Sequence, residues 1–320
     1  MVREALERLA IKLGQAVFCP LSHRSLFRLC DVLSAVYYFF DRKGRKKALR
    51  NLRIIFKKED TLPLSTSTWL KQHPYNPTLR EEKIIRGSYR NMARTVGHIF
   101  WTSVHAKERV ALVGVMCRRG HEWLHEVKQA VTVSGHIGCW EILAQIVHQE
   151  GLEMVSVAKK IGSKKTTQML MESRRSIGEE IVPAESAFLA LAKAMKKGKC
   201  LGLLVDQTVN PEDGGMWIRF FGKPMCVSAA PAYFSGKFKA PIVTAWSRPL
   251  KDGRYVCEVI NTYSWEEAKN TWKMTQQCAK DLEGVIRRHP SLWVLNYNMF
   301  KRKAKKDEIA ELEKNEAANA

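Results

Sequence analysis

From about residue 131 onward, short apolar runs alternate with longer stretches whose apolar positions recur at helical spacing. The runs at 130–135 (AVTVSG), 153–159 (EMVSVAK), 179–184 (EEIVPA) and 199–207 (KCLGLLVDQ) predict strands, the last apolar enough for burial on both faces. Between them, 139–149 (CWEILAQIVHQ), 164–176 (KKTTQMLMESRRS) and 186–198 (SAFLALAKAMKKG) predict helices. The third closes on lysines and Gly198, a C-terminal signature. Residues 229–238 predict another helix, 240–249 and 254–261 two strands, and 264–288 a long helix. Strands separated by helices imply an α/β fold with a mostly parallel central sheet flanked by helices. Upstream, 1–58 reads as helical and basic. Residues 59–80 hold three prolines and several Ser and Thr and read as a loop or insertion. The α/β domain then spans 81–302, followed by a polar tail, 303–320, expected to be frayed.

Composition changes this picture in one respect. The chain has 320 residues and 45% hydrophobic content, enough for a sizeable core. Its 53 Lys and Arg against 32 Asp and Glu give a net charge of +21. Such a field attracts polyanions: nucleic acid, anionic membrane surfaces, phosphorylated substrates or acidic carrier proteins. Nucleic acid is disfavoured, because no basic motif interleaved with aromatic residues occurs. The eight cysteines form no C-x-x-C pair and suggest neither a zinc module nor a disulfide framework. No signal peptide is evident at the N-terminus. No window reaches the ~18–20 apolar residues of a spanning helix. The nearest, 26–40, is short, carries Arg28 and Asp31, and is followed by nine Lys and Arg between Arg42 and Lys58. An apolar amphipathic stretch beside a polybasic one predicts a membrane-associating N-terminal segment.

Two rival chemical signatures lie between Gly120 and Glu141. His121-Glu122-Trp123-Leu124-His125 fits the zinc-protease pattern H-E-x-x-H. That chemistry needs a third protein ligand. His148 and Glu150 lie downstream without a ligand motif of their own, and Arg118 and Arg119 add positive charge nearby. The segment therefore reads as a surface amphipathic helix, with no metal and no cofactor expected. His136 and Glu141 instead fit H-x-x-x-x-E, which needs no metal. His136 follows the end of a strand, where ligands gather in open α/β sheets. Glu141 falls about one helical turn further on, placed to accept a hydrogen bond from the imidazole and to leave the other nitrogen as a general base. The pair lacks a nucleophile, so it suits a reaction whose acceptor hydroxyl attacks. Cys139 is an alternative nucleophile but more simply shapes the turn.

The segment SGHIGCWEIL (134–143) resembles the H-x-G-N-W-E block of the lipid A late acyltransferases, within the glycerolipid acyltransferase superfamily. The resemblance extends in order over roughly 40–302. RKKALRNLRIIF resembles the family's basic N-terminal segment, with Asn51 at its Asn. LGLLVDQ and RFFGKP resemble its D-Q and F-F-G-x-P blocks, and RRHPSLWVLNYNMFKRK resembles its domain end. Departures are Cys139 in place of Asn, the NYNMFK run, and the length of 59–80. The resemblance implies acyl transfer from an acyl carrier protein thioester, or from acyl-coenzyme A, to a hydroxyl of an anionic lipid or glycolipid. It also implies a membrane-bound enzyme on the cytoplasmic face of a bacterial inner membrane, peripheral or held by a single N-terminal anchor. His136 would be the general base, Glu141 its orienter, and Arg174 or Arg175 the oxyanion stabiliser. Asp206 and Gln207 would support the site, because an unpaired buried carboxylate is costly. Phe220, Phe221, Gly222 and Pro224 would wall an acyl channel. Alternatives keep the chemistry and change the acceptor, to a phosphatidylinositol mannoside, another glycolipid or a lysophospholipid. Another class would be an inactive, basic membrane- or nucleic-acid-binding protein.

Overall fold

The computed structural model describes residues 2–56, 75–103, 106–158, 171 and 179–319. The chain opens with helices α1 (Val2–Phe18), α2 (His23–Phe40), α3 (Arg42–Ile55) and α4 (Leu79–Trp101). Helix α4 starts at a capping box. Thr78 Oγ1 accepts from Glu81 N at 3.2 Å, and Glu81 Oε2 accepts from Thr78 N at 2.8 Å. There follow α5 (Ala106–Val113), β1 (Gly114–Met116), α6 (Arg118–Val127), β2 (Val131–Ser134), α7 (Trp140–Gln149), β3 (Met154–Ala158) and β4 (Glu180–Pro183). After these come α8 (Ala187–Lys196), β5 (Cys200–Leu204), β6 (Gly215–Phe220), β7 (Lys223–Ser228) and α9 (Ala230–Phe238). The chain ends with β8 (Ile242–Pro249), β9 (Tyr255–Tyr263), α10 (Thr271–Arg288) and α11 (Lys306–Ala318).

Among the described residues the main sheet has seven strands, ordered β1-β9-β8-β2-β5-β3-β4. All neighbours run parallel except β8 and β9. The expected α/β class with a mostly parallel sheet is therefore the observed one. The central strand β2 is buried along its whole length. Its Val131 and Val133 join the larger core with Leu201, Leu203, Ile242 and Trp246. On the opposite face Ile142, Leu143 and Ile146 of α7 pack with Leu26, Trp101, Ala245 and Tyr255. The sheet thus lies between two apolar layers, the arrangement that crossover helices impose.

Three differences from the sequence reading have physical causes. The basic helix α3 is not a separate surface segment. Its apolar positions Ala48, Leu49, Leu52 and Ile55 are fully buried in the main core, so the polybasic stretch is one face of a core helix. The polar tail is helical from Lys306 to Ala318 rather than frayed. Its buried Leu312 packs with Trp217 and Cys226, and Arg219 holds Glu316 at 3.1 Å. Residues 215–228, for which the sequence pattern predicts no strand, form a two-stranded hairpin. Phe221 and Gly222 are its two turn residues, with φ of 52° and 77°. Positive φ at both central positions is the type I′ turn that matches the twist of paired strands.

Candidate active site

The carboxyl ends of β2 and β5 lie side by side, paired in register with Ser134 opposite Leu204. Each strand therefore delivers its next residues to the same point, His136 from one and Asp206 from the other. His136 Nδ1 lies 2.7 Å from Asp206 Oδ1, and the His136 backbone N–H donates to Asp206 Oδ2 at 2.7 Å. Trp293 Nε1 donates to the same Oδ2 at 2.7 Å. The Asp206 carboxylate has no solvent exposure, whereas the His136 side chain is 20% exposed. Burial alone would raise the Asp206 carboxyl. The His136 imidazole and the three hydrogen bonds outweigh burial and hold it below its ordinary value. With an ionised carboxylate at Nδ1, that nitrogen carries a ring proton, and in the neutral ring Nε2 is the atom that presents its lone pair. Gln207 Nε2 stands 3.2 Å from His136 Nε2.

The carboxylate in contact with His136 Nδ1 is that of Asp206, whereas the sequence reading named Glu141 as the orienting group. The cause is strand register: H-x-x-x-x-E spacing is local, but the adjacent parallel strand brings a carboxylate in from 70 residues away. Glu141 occupies the first turn of α7, where the positive end of the helix favours its carboxylate, and Trp140 Nε1 donates to it at 3.0 Å. The Trp140 ring lies 5.0 Å from that of His136, so His136, Trp140 and Glu141 form one cluster. Arg174 and Arg175 lie outside the described residues. Phe220 and Phe221 are buried with their rings 6.1 and 5.8 Å from Trp293, so they brace the indole that holds Asp206. Gly222 completes the hairpin turn.

Cys139 is fully buried at the N-cap of α7, and burial pushes its thiol up to about 12. A thiol so held is a poor nucleophile near neutral pH, and its burial at the head of α7 fits a role in shaping the turn.

The turn carrying His136 is fixed by Gly138, a glycine the sequence places at the strand-to-helix turn, and by partners distant in the chain. Gly138 adopts φ 64°, and a Cβ there would lie 1.8 Å from the Ser247 carbonyl oxygen. The Ser247 hydroxyl accepts from Cys139 N at 2.9 Å and donates to Cys139 O at 2.8 Å. Gly138 N donates to Leu292 O at 2.9 Å, and Val294 N to His136 O at 3.2 Å. The segment 290–300 thus straps the turn from outside the sheet. Buried side chains hold the strap: Asn91 Nδ2 bridges the Gly138 and Leu292 carbonyls, each at 2.9 Å, and the Ser88 hydroxyl donates to Trp293 O. Asn51 Nδ2 donates to Leu295 O at 2.8 Å and to Tyr297 O at 2.7 Å. The signal available in the sequence was Trp293 itself, an indole N–H that needs an acceptor if buried.

Gly138→Ala tests this construction. It meets a backbone atom and adds a Cβ at positive φ, so it is expected to cost more than about 3 kcal/mol in urea unfolding. A loss under about 1 kcal/mol would mean that the turn is free to shift.

A comparison with curated proteins gives no match. Residues 74–302, most of the chain and all of the cluster around His136, match the family described as bacterial lipid A biosynthesis acyltransferases, and the chain belongs to that family.

Proposed function

We propose that this acyltransferase moves a fatty acyl chain from an acyl carrier protein thioester to a hydroxyl of a lipid A precursor, with His136 as general base. The observation that carries this reading is the Nδ1 contact of 2.7 Å to the buried Asp206, which leaves Nε2 as the basic atom. The acceptor hydroxyl approaches Nε2 in place of the Gln207 amide. Its oxygen attacks the thioester carbonyl carbon as its proton passes to Nε2. The tetrahedral intermediate collapses, the C–S bond breaks, and the leaving thiolate takes the proton back from the imidazolium. No acyl-enzyme forms. Arg174 or Arg175 is retained as the candidate oxyanion stabiliser, and Phe220, Phe221 and Gly222 as the rear wall of the acyl site. Glu141, beside Trp140 in the same cluster, adds negative charge that favours the imidazolium formed during transfer.

The negative partners fit the +21 charge. A groove along α4 sets Lys83, Arg86 and Arg90 beside Ser291, two residues from Trp293; Glu82 also lines it and pairs with Arg86 at 2.8 Å, and the remaining excess of positive charge suits an anionic head group. Among the described residues no helix is long and apolar enough to cross a membrane. Helix α1 nevertheless exposes Leu6, Leu9, Leu13 and Val17 along one face, and α2 exposes Val32, Leu33, Val36, Phe39 and Phe40. These stripes support interfacial attachment at the cytoplasmic face of the inner membrane.

Mass spectrometry of lipid A from cells with the gene intact and deleted tests the reading. The deletion is expected to remove the mass of one acyl chain, restored by the intact gene. Unchanged lipid A would move the acceptor elsewhere.

A further inference from the structure

We propose that His121, His125 and Glu150 form a divalent-cation site, with Zn²⁺ the best-matched ion, clipping α6 to the end of α7. This inference does not depend on the proposed reaction. The H-E-x-x-H segment lacked a third ligand in the sequence, and the fold supplies it. Helix α6 sets His121 and His125 one turn apart on the same face, with ring centroids 4.4 Å apart. Glu150, the C-cap of α7, comes up beneath both. One ligand atom from each of the three residues lies within 4.8 Å of the others. Glu150 Oε2 contacts His121 Nδ1 and lies 3.8 Å from His125 Nε2. Donors around a shared tetrahedral ion at ~2.0–2.1 Å stand about 3.3 Å apart, so modest side-chain rotation closes the site.

The supporting backbone is held. Buried Leu124 anchors α6, and Gly120 lets it sit close, since a Cβ there would be 2.7 Å from Met116 Sδ. Ile146 and Val147 bury the last turn of α7. The Glu150 side chain is 16% exposed and the two imidazoles are 56% and 59% exposed, so the carboxylate forms the floor and the open side faces water. Two imidazoles, one carboxylate and an open position form a borderline donor set, matched to Zn²⁺ rather than to Ca²⁺ or Mg²⁺. The nearby positive charge of Arg118 is engaged by Glu122 at 2.8 Å. That same ion pair takes Glu122 away from the role of base that protease chemistry would need. The clip also lies at the far end of α7 from His136, about 15 Å along a ten-residue helix. Its ion cannot touch the acyl-transfer centre.

The test uses the full chain, stripped with a chelator and titrated with ZnCl₂ against a chromophoric competitor. Retention of one zinc per chain and a raised thermal midpoint are expected. His125→Ala and Glu150→Gln should each weaken binding by about 100-fold or more, since outer-shell changes alone cost 10–100-fold. His289→Ala should not weaken it. The His125→Ala rate of acyl transfer should stay within about twofold of the parent, because the group is on neither reacting partner. Co²⁺ in place of zinc should give the visible bands of a four-coordinate nitrogen and oxygen site. Absence of binding, binding undiminished in both variants, or a thiolate-to-cobalt charge-transfer band would overturn the proposal.

Discussion

Replacing His136 by alanine is expected to lower acyl transfer by about 10²–10⁴-fold, the usual contribution of a positioned general base. The truncation removes the only group of the His136–Asp206 pair that reaches solvent, and it leaves the fold its other supports. Asp206 still accepts from the residue-136 backbone N–H and from Trp293, and the Gly138 turn keeps its bonds to Ser247 and Leu292. The variant should therefore unfold in urea close to the parent while losing activity. The measurement is the rate of acyl transfer from an acyl carrier protein thioester to the lipid acceptor by purified protein. A folded His136→Ala variant that retains parental activity would remove the base from the mechanism.

The second large effect concerns the group behind the imidazole. Asp206 receives three donors on two oxygens, whereas an asparagine side chain offers one oxygen and one N–H₂. If the amide oxygen of the Asp206→Asn variant stays with Trp293 and the residue-136 N–H, its N–H₂ faces Nδ1. Nδ1 must then accept, the ring proton moves to Nε2, and the basic lone pair is lost. Asp206→Asn is therefore expected to cost up to about 10⁴-fold in rate, as at other carboxylate-held imidazoles. Stability should fall by about 1–3 kcal/mol for the weakened buried bonds. The folded-state carboxyl is held below its ordinary value, so its stabilisation is fully present above the unfolded value of about 3.9. It fades as pH drops through the lower folded value. The stability gap between the parent and the Asp206→Asn variant should thus be largest near neutrality and shrink in acid. A gap independent of pH would mean that the folded-state carboxyl is not depressed.

Much of this architecture is legible in the chain because its causes are local. The β2, β3 and β5 runs are apolar and short, the helices between them carry 3.6-residue periodicity, and their order gives a parallel sheet. His136 at a strand end was legible for the same reason. Its partner was not, because pairing β2 with β5 is a choice of neighbour that periodicity does not encode. Asp206 was visible as an unexplained acid, and Glu141 offered a sequence-local substitute. The hairpin was hidden by Phe221, a bulky residue at positive φ where turn chemistry leads one to expect Asn or Gly. The final helix was hidden by its polarity, with Leu312 alone showing that a face is buried.

The strap over the His136 turn has a consequence in time. Asn51 belongs to α3, yet its partners at Leu295 and Tyr297 lie 244 and 246 positions later. Trp293 likewise reaches Asp206 across 87 positions. Contacts of such separation form late, after the long intervening loop has been closed. A ribosome must therefore deliver the chain past Tyr297 before the His136 turn is strapped in place. Until then β2 and β5 can pair, but the turn between β2 and α7 lacks the bonds of its strap.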